Sequence, residues 1–157
     1  MQRITPFLWF DNQAEEAVAF YTSIFENSKV ISVARYNEAG PGLPGTVMTI
    51  AFEIEGEPFT ALNGGDIYQF NPAVSFVVNC ENQEQVDYYW DRLLEGGTPV
   101  QCGWLTDQFG LSWQIVPTRL AELLSDPDAE KVQRVAKAML QMIKLDIPAL
   151  EAAARGD

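Results

Sequence analysis

The chain has 157 residues, 47% of them hydrophobic, enough apolar mass for one ordinary domain to bury a core. Ten basic residues against 22 acidic ones leave a net charge of −12, and the scattered lysines and arginines argue against a nucleic-acid or anionic-membrane partner. Histidine is absent, which removes the commonest metal ligand, the usual general base and every Ser-His or Cys-His nucleophile.

In chain order, "ITPFLWF" reads as an apolar strand and "DNQAEEAVAFYTSIF" as a helix. Asp11 or Asn12 suits its N-cap, Glu15 and Glu16 its positive first turn, and Ala17, Phe20, Tyr21, Ile24 and Phe25 recur at helical spacing. "KVISVARYN" and "TVMTIAFEIEG" read as strands separated by "EAGPGLPG", whose glycines and prolines continue neither element. "EPFTALNGG" closes a βαβββ group after a Glu55-Gly56-Glu57 turn.

Beyond "DIYQFNP" the order starts again. "AVSFVVNC" is a strand and "ENQEQVDYYWDRLLEGG" a helix, with Val86, Tyr89, Trp90, Leu93 and Leu94 on one side and a glycine stop. "TPVQCGWLTD" and "LSWQIVP" follow as strands joined across "QFG". The two helices share a polar cap followed by a valine and an aromatic pair, which together with the repeated order indicates a duplication.

The remaining residues, 118–157, are helical: Asp126 with Pro127 opens one helix, and Asp146 with Pro148 opens a last short one. The stripe Val132, Val135, Ala136, Met139, Leu140 and Ile143 needs a surface to pack on, either the chain's own sheet or a partner subunit.

No apolar run approaches the ~18 residues of a membrane span, and "MQRITPFLWF" lacks the pattern of a signal peptide, so a soluble cytoplasmic protein is expected. Cys80 and Cys102 form no CxxC pair, and reduced, inert thiols are expected at both.

The segments "FLWFDNQAEEAVAFYTSIF", "RYNEAGPGLPGTVMTIAFEIEGEPFTALNGG", "AVSFVVNCENQEQVDYYWDRL" and "QCGWLTDQFGLSWQIVP" resemble the PhnB-like branch of the vicinal oxygen chelate superfamily. This superfamily holds the glyoxalase and bleomycin-resistance folds, and the branch is often labelled 3-demethylubiquinone 3-methyltransferase-like. The resemblance extends over essentially the whole chain, tail included. It implies an α+β fold of two βαβββ modules, here 1–65 and 72–117, followed by a helical tail over 118–157, all forming one domain. It also implies an intimately associated homodimer and a concave sheet surface that holds a small molecule.

In metal-dependent relatives four side chains bind one divalent ion. The resemblance places those positions at Leu8, at Ser75, at Gln114 and near Ala61, Leu62 or Asn63. Leucine cannot coordinate, and serine, glutamine and asparagine are neutral, so no metal or other cofactor is expected.

Alternation puts Ser112, Gln114 and Val116 on one face of the last strand, with Leu111, Trp113 and Ile115 on the other. Gln114 either faces a ligand or is satisfied by a core partner such as Ser75 or Asn63. Trp104 and Trp113 are core or dimer residues on one reading and cavity walls on the other, and Cys102 stands beside them. In "RYNEAGPG", Arg35 suits an anion and Tyr36 a hydrogen bond to substrate; alternatively the segment is a surface hairpin with Arg35 paired to a glutamate.

The expected function is metal-free binding of a small organic molecule. The alternative is a lyase, isomerase or dioxygenase type of enzyme using a weakly held divalent ion or a carboxylate base, with no particular catalytic residue identified. A carboxylate from Glu53, Glu38 or Asp107 inside the cavity would favour the enzyme. An apolar lining with Gln114 and Ser75 would favour binding. "ALNGGD" runs into "IYQFNP" rather than a helix, so the methyltransferase label has no support in a nucleotide-type glycine loop.

Overall fold

Alternating burial builds the first sheet. Along Val47–Ile54 (β3), Ile50, Phe52 and Ile54 are buried while Thr49, Ala51 and Glu53 are half-exposed. The computed structural model describes residues 3–157 and divides into two compact units, one ending at Phe70 and the other spanning Asn71–Asp157.

The first unit contains Phe7–Phe10 (β1), Ala14–Ile24 (α1), Lys29–Arg35 (β2), β3 and Glu57–Asn63 (β4). Its sheet has the order β1-β4-β3-β2, with β1 parallel to β4 and the other pairs antiparallel. Helix α1 buries Ala17, Val18, Tyr21 and Ile24 in the core that Leu8, Phe10, Ile50 and Phe52 share. Each large apolar side chain removed from water there contributes roughly 1.5–3 kcal/mol.

Helix α1 is not capped by Asp11 or Asn12. Gln13 occupies the N-cap without a side-chain bond, and the amide of Ala14 donates instead to Asn63 Oδ1 at 2.8 Å. The cap therefore comes from the end of β4.

The second unit repeats the plan with Ser75–Cys80 (β5), Gln83–Leu94 (α2), Thr98–Pro99 (β6), Trp104–Thr106 (β7) and Ser112–Pro117 (β8). Its order, β5-β8-β7-β6, is the first sheet's order module for module, again with one parallel pair at the same place. The duplication expected from the two helices thus extends to strand connectivity. Asn82 caps α2 by accepting the Gln85 amide, and Val86, Trp90 and Leu93 are its buried stripe.

The expected single strand "TPVQCGWLTD" is broken in two. Cys102 and Gly103 both have left-handed backbones, φ 60° and 84°, and their amides donate to the carbonyls of Met142 and Ile143. A side chain on Gly103 would come within 2.9 Å of both the Ile115 carbonyl oxygen and Leu145, so glycine is required there.

The tail forms Thr118–Leu124 (α3), Ala129–Leu140 (α4) and Ile147–Arg155 (α5). Asp128, not Asp126, caps α4, while Asp146 caps α5 as expected. Leu120, Leu123, Val135, Leu145, Leu150 and Ala154 make a core of their own. Gln83 ties the tail to its unit, donating to the Leu145 carbonyl at 3.1 Å and accepting the Ile147 amide at 2.7 Å. The tail therefore packs within the second unit, although Leu140 and Ile143 of the expected stripe stay exposed. Among the described residues no helix is long and apolar enough to cross a membrane.

Candidate functional site

Strand register sorts the first sheet into two faces. Leu8, Ile50, Phe52 and Ala61 stand on the buried side with α1. Phe7 and Trp9, Ala51 and Glu53, and Pro58, Thr60 and Leu62 stand on the opposite, open side. Leu8 thus lies in the helix-side core and not on the open face.

A cleft of about 440 Å³ lies on that open side. Ala51, Glu53, Pro58 and Thr60 form its sheet surface, and Thr5, Ile31, Phe52, Gly56 and Phe59 complete the lining. A volume of this size suits a drug-sized molecule. Among the described residues, Glu53 is the one ionisable side chain of the lining. Its Oε2 lies 4.0 Å from Lys29 Nζ, at the outer limit of an ion pair.

A smaller cleft of about 230 Å³ is lined by Asp11, Tyr36, Pro41, Gly42, Asn63, Gly64 and Gly65. Tyr36 and Asn63 of the expected site meet here, but largely to hold structure. The Tyr36 hydroxyl donates to the Asn63 carbonyl, and its ring fills the space a side chain on Gly42 would need. The Asn63 amide group donates to Glu15 Oε1 at 2.7 Å and to the Val47 carbonyl at 3.1 Å while its oxygen caps α1. Arg35 is exposed and donates to the Gly45 carbonyl at 3.1 Å, in place of the expected glutamate. Glu38 is exposed in the loop that follows and lines neither cleft.

In the second unit, register gathers Ser75, Trp104, Thr106, Ser112 and Gln114 on the face opposite the half-buried Phe76 and the buried Leu105, Trp113 and Ile115. Gln114 Nε2 donates to Ser75 Oγ at 2.9 Å, so the amide has the protein partner that the sequence offered as one alternative. Ser112 is buried, and Trp104 and Gln114 are half-buried. Cys102 lies in the left-handed turn before β7, and its position is fixed by its backbone amide.

Asp107 is a structural carboxylate. It is 3% exposed; its Oδ1 accepts the amides of Phe109 and Leu111, and its Oδ2 accepts the indole N–H of Trp113 at 2.9 Å. Burial also pushes the Cys80 thiol up to about 11, leaving almost no thiolate at neutral pH.

The positions that the resemblance assigns to metal ligands do not suit a transition ion. Leu8 is apolar and packed, Ser75 and Gln114 are neutral and bonded to each other, and the side chain of Asn63 is spent on the α1 cap. Among the described residues no three His, Cys, Asp or Glu side chains converge as a metal site.

Sequence reasoning missed Trp9. Its indole N–H donates to the Gly65 carbonyl at 2.8 Å, its ring lies where a Gly64 side chain would stand, and Tyr68 meets it edge-on at 4.9 Å. The signal was available: alternation through "FLWF" places Trp9 opposite Leu8, on the open face.

Two βαβββ modules with matching strand orders define the glyoxalase fold of the vicinal oxygen chelate superfamily. Within it, the chain belongs to the 3-demethylubiquinone-9 3-methyltransferase family, PhnB-like, whose sequence profile matches residues 2–116. A PhnB protein from Bacillus cereus is 37% identical over 74% of this chain and 100% of its own, with a TM-score of 0.68. Two further structures share the fold at lower identity. Protein PA1353 from Pseudomonas aeruginosa (16% identity, 74% and 98% coverage) has a TM-score of 0.62, and the fosfomycin resistance protein FosX from Listeria monocytogenes (18%, 80% and 98%) has 0.59. A search of curated protein sequences gives no match. The family match ends before α3, so the expectation that it would extend through the tail is corrected: α3, α4 and α5 lie beyond it.

Proposed function

We propose that the protein binds a small organic molecule on the open face of its first sheet, without a transition metal. The observation that carries this reading is the 440 Å³ cleft, whose lining is mainly apolar. The neutral, mutually bonded side chains at Ser75 and Gln114 support the metal-free part.

Glu53 in the lining favours a second reading, an enzyme of the superfamily with a carboxylate base. One carboxylate with a distant lysine supplies counter-charge but no acid partner, so binding remains the first reading. Methyl transfer from S-adenosylmethionine is not proposed. Gly64-Gly65 leads through a turn into β5, and the glycine-loop-to-helix junction that would hold such a cofactor is missing from this stretch. A cytoplasmic homodimer completes the proposal, and exposed Phe7, Val30 and Val33 are apolar side chains that a second copy would cover.

The test is an NMR fragment screen of the 15N-labelled protein in EDTA. Hits that shift the amides of Ile31, Ala51, Glu53 and Thr60 together are expected. Hits that need added divalent metal, or that all fall elsewhere, would refute the reading. Turnover of a hit, lost in Glu53→Gln while binding persists, would establish the enzyme instead.

A further inference from the structure

The charge of the ligand is written into the same cleft. Resting on the binding reading above, we infer that it selects an organic cation: an amine or quaternary ammonium carried on an apolar body, with its charge against Glu53.

Three observations lead there. Among the described residues Glu53 is the sole ionisable group of the lining, whose other open-face side chains are Ala51, Pro58 and Thr60, with Thr5, Ile31 and Gly56 around them. A molecule filling the cleft therefore displaces water around a carboxylate, and a positive group compensates that loss most fully. Second, the resident counter-ion is poorly engaged. Lys29 Nζ stands 4.0 Å away on a side chain that is 68% exposed, whereas that of Glu53 is 30% exposed. Pairs of this kind hold weakly, and Lys29 swings into solvent when a ligand cation arrives. Third, a net charge of −12 draws cations toward the surface and repels anions before contact.

The apolar body has its own place. Ala51 and Pro58 lie beside Glu53 on the sheet surface, and Ile31 stands in the same lining. Thr5 and Thr60 offer hydroxyls to a polar substituent. An inorganic cation would leave this apolar surface uncovered, whereas an aromatic or aliphatic amine uses both parts.

The experiment compares three probes of similar size by 15N NMR titration at low salt: benzyltrimethylammonium, 3-phenylpropan-1-ol and 3-phenylpropionate. The cation is expected to shift the amides of Ile31, Ala51, Glu53 and Thr60, about tenfold more tightly than the alcohol. The carboxylate is expected to leave them unmoved. Glu53→Gln should weaken the cation by about tenfold while the alcohol stays within about twofold. Lys29→Gln, an exposed change, should tighten the cation roughly twofold by removing its competitor.

If all three probes bind alike and neither variant alters the order, the charge inference is wrong while the small-molecule reading stands. If none of the three shifts those amides at millimolar concentration, both are wrong. Should Glu53→Gln not fold, Lys29→Gln and the salt dependence decide: cation binding that neither tightens in the variant nor weakens with added salt overturns the inference.

Discussion

Replacing Asp107 separates a structural carboxylate from a catalytic one. In Asp107→Ala the amides of Phe109 and Leu111 and the indole N–H of Trp113 lose their common acceptor within a site only 3% exposed. A hydrogen bond to a charged group contributes roughly 1.5–3 kcal/mol net. Three such bonds would sum higher, but the turn relaxes and admits water once the carboxylate is gone, so the expected loss is about 4 kcal/mol. Asp107→Asn keeps one oxygen for two amides and turns an NH2 group toward the indole, an expected loss of about 2 kcal/mol. Urea denaturation followed by tryptophan fluorescence reads both losses. Ligand binding by the folded fraction should be unchanged in both variants. A loss below about 1 kcal/mol in Asp107→Ala would refute the assignment of Asp107 as the anchor of the β7–β8 turn.

Gly64→Ala should cost about 1–3 kcal/mol in urea denaturation, because the new methyl would come within 2.3 Å of the Trp9 ring. Asn63→Ala should cost about 1–2 kcal/mol by removing the α1 cap, with amide exchange faster at Ala14 and Glu15. The Cys80 thiol is raised from an ordinary 9.0 to about 11, so the unfolded chain gives up that proton first. The sign follows: the contribution is complete below pH 9 and lost as pH rises toward 11, and native Cys80 should resist thiol reagents at pH 8 until the protein unfolds. In the tail, Arg119 beside Glu151 and Lys131 beside Asp126 hold those carboxyls below their ordinary values. Their support is therefore present at neutral pH and fades as pH falls through the folded values, which a thermal melt at pH 3 should register.

The architecture was legible in the sequence because its signals are local. The 3.6-residue spacing of Ala17, Tyr21 and Ile24 and the period-2 alternation of "VMTIAFEI" depend on neighbours a few residues away. The repeated βαβββ order then specified the same connectivity in both sheets. What escaped depends on distant partners. Asn63 caps a helix 49 residues away, and Met142 and Ile143 pin the Cys102-Gly103 turn that divides an expected strand. Neither bond leaves a local trace.

The site was legible in part. Alternation put Ser112 and Gln114 on one face, and Ser75 was already a candidate partner for the Gln114 amide. Glu53 was recognised as a carboxylate worth locating, but its neighbours Ile31 and Thr60 come from other strands and could be found only through register. Leu8 was placed by alignment to relatives, whereas the alternation of β1 itself assigns it to the buried side.

The most direct measurement of the central claim is elemental analysis of protein purified without an affinity tag, paired with thermal melts in Mg²⁺, Mn²⁺, Ni²⁺ and Zn²⁺. Metal well below stoichiometry and no ion-specific rise in Tm are predicted, because the donors at the positions the resemblance assigns to metal ligands are neutral, with Gln114 bonded to Ser75 and the Asn63 oxygen accepting the Ala14 amide. One tightly held ion per chain, or a large rise with a single metal, would contradict the account and point to chelate-assisted chemistry at this fold.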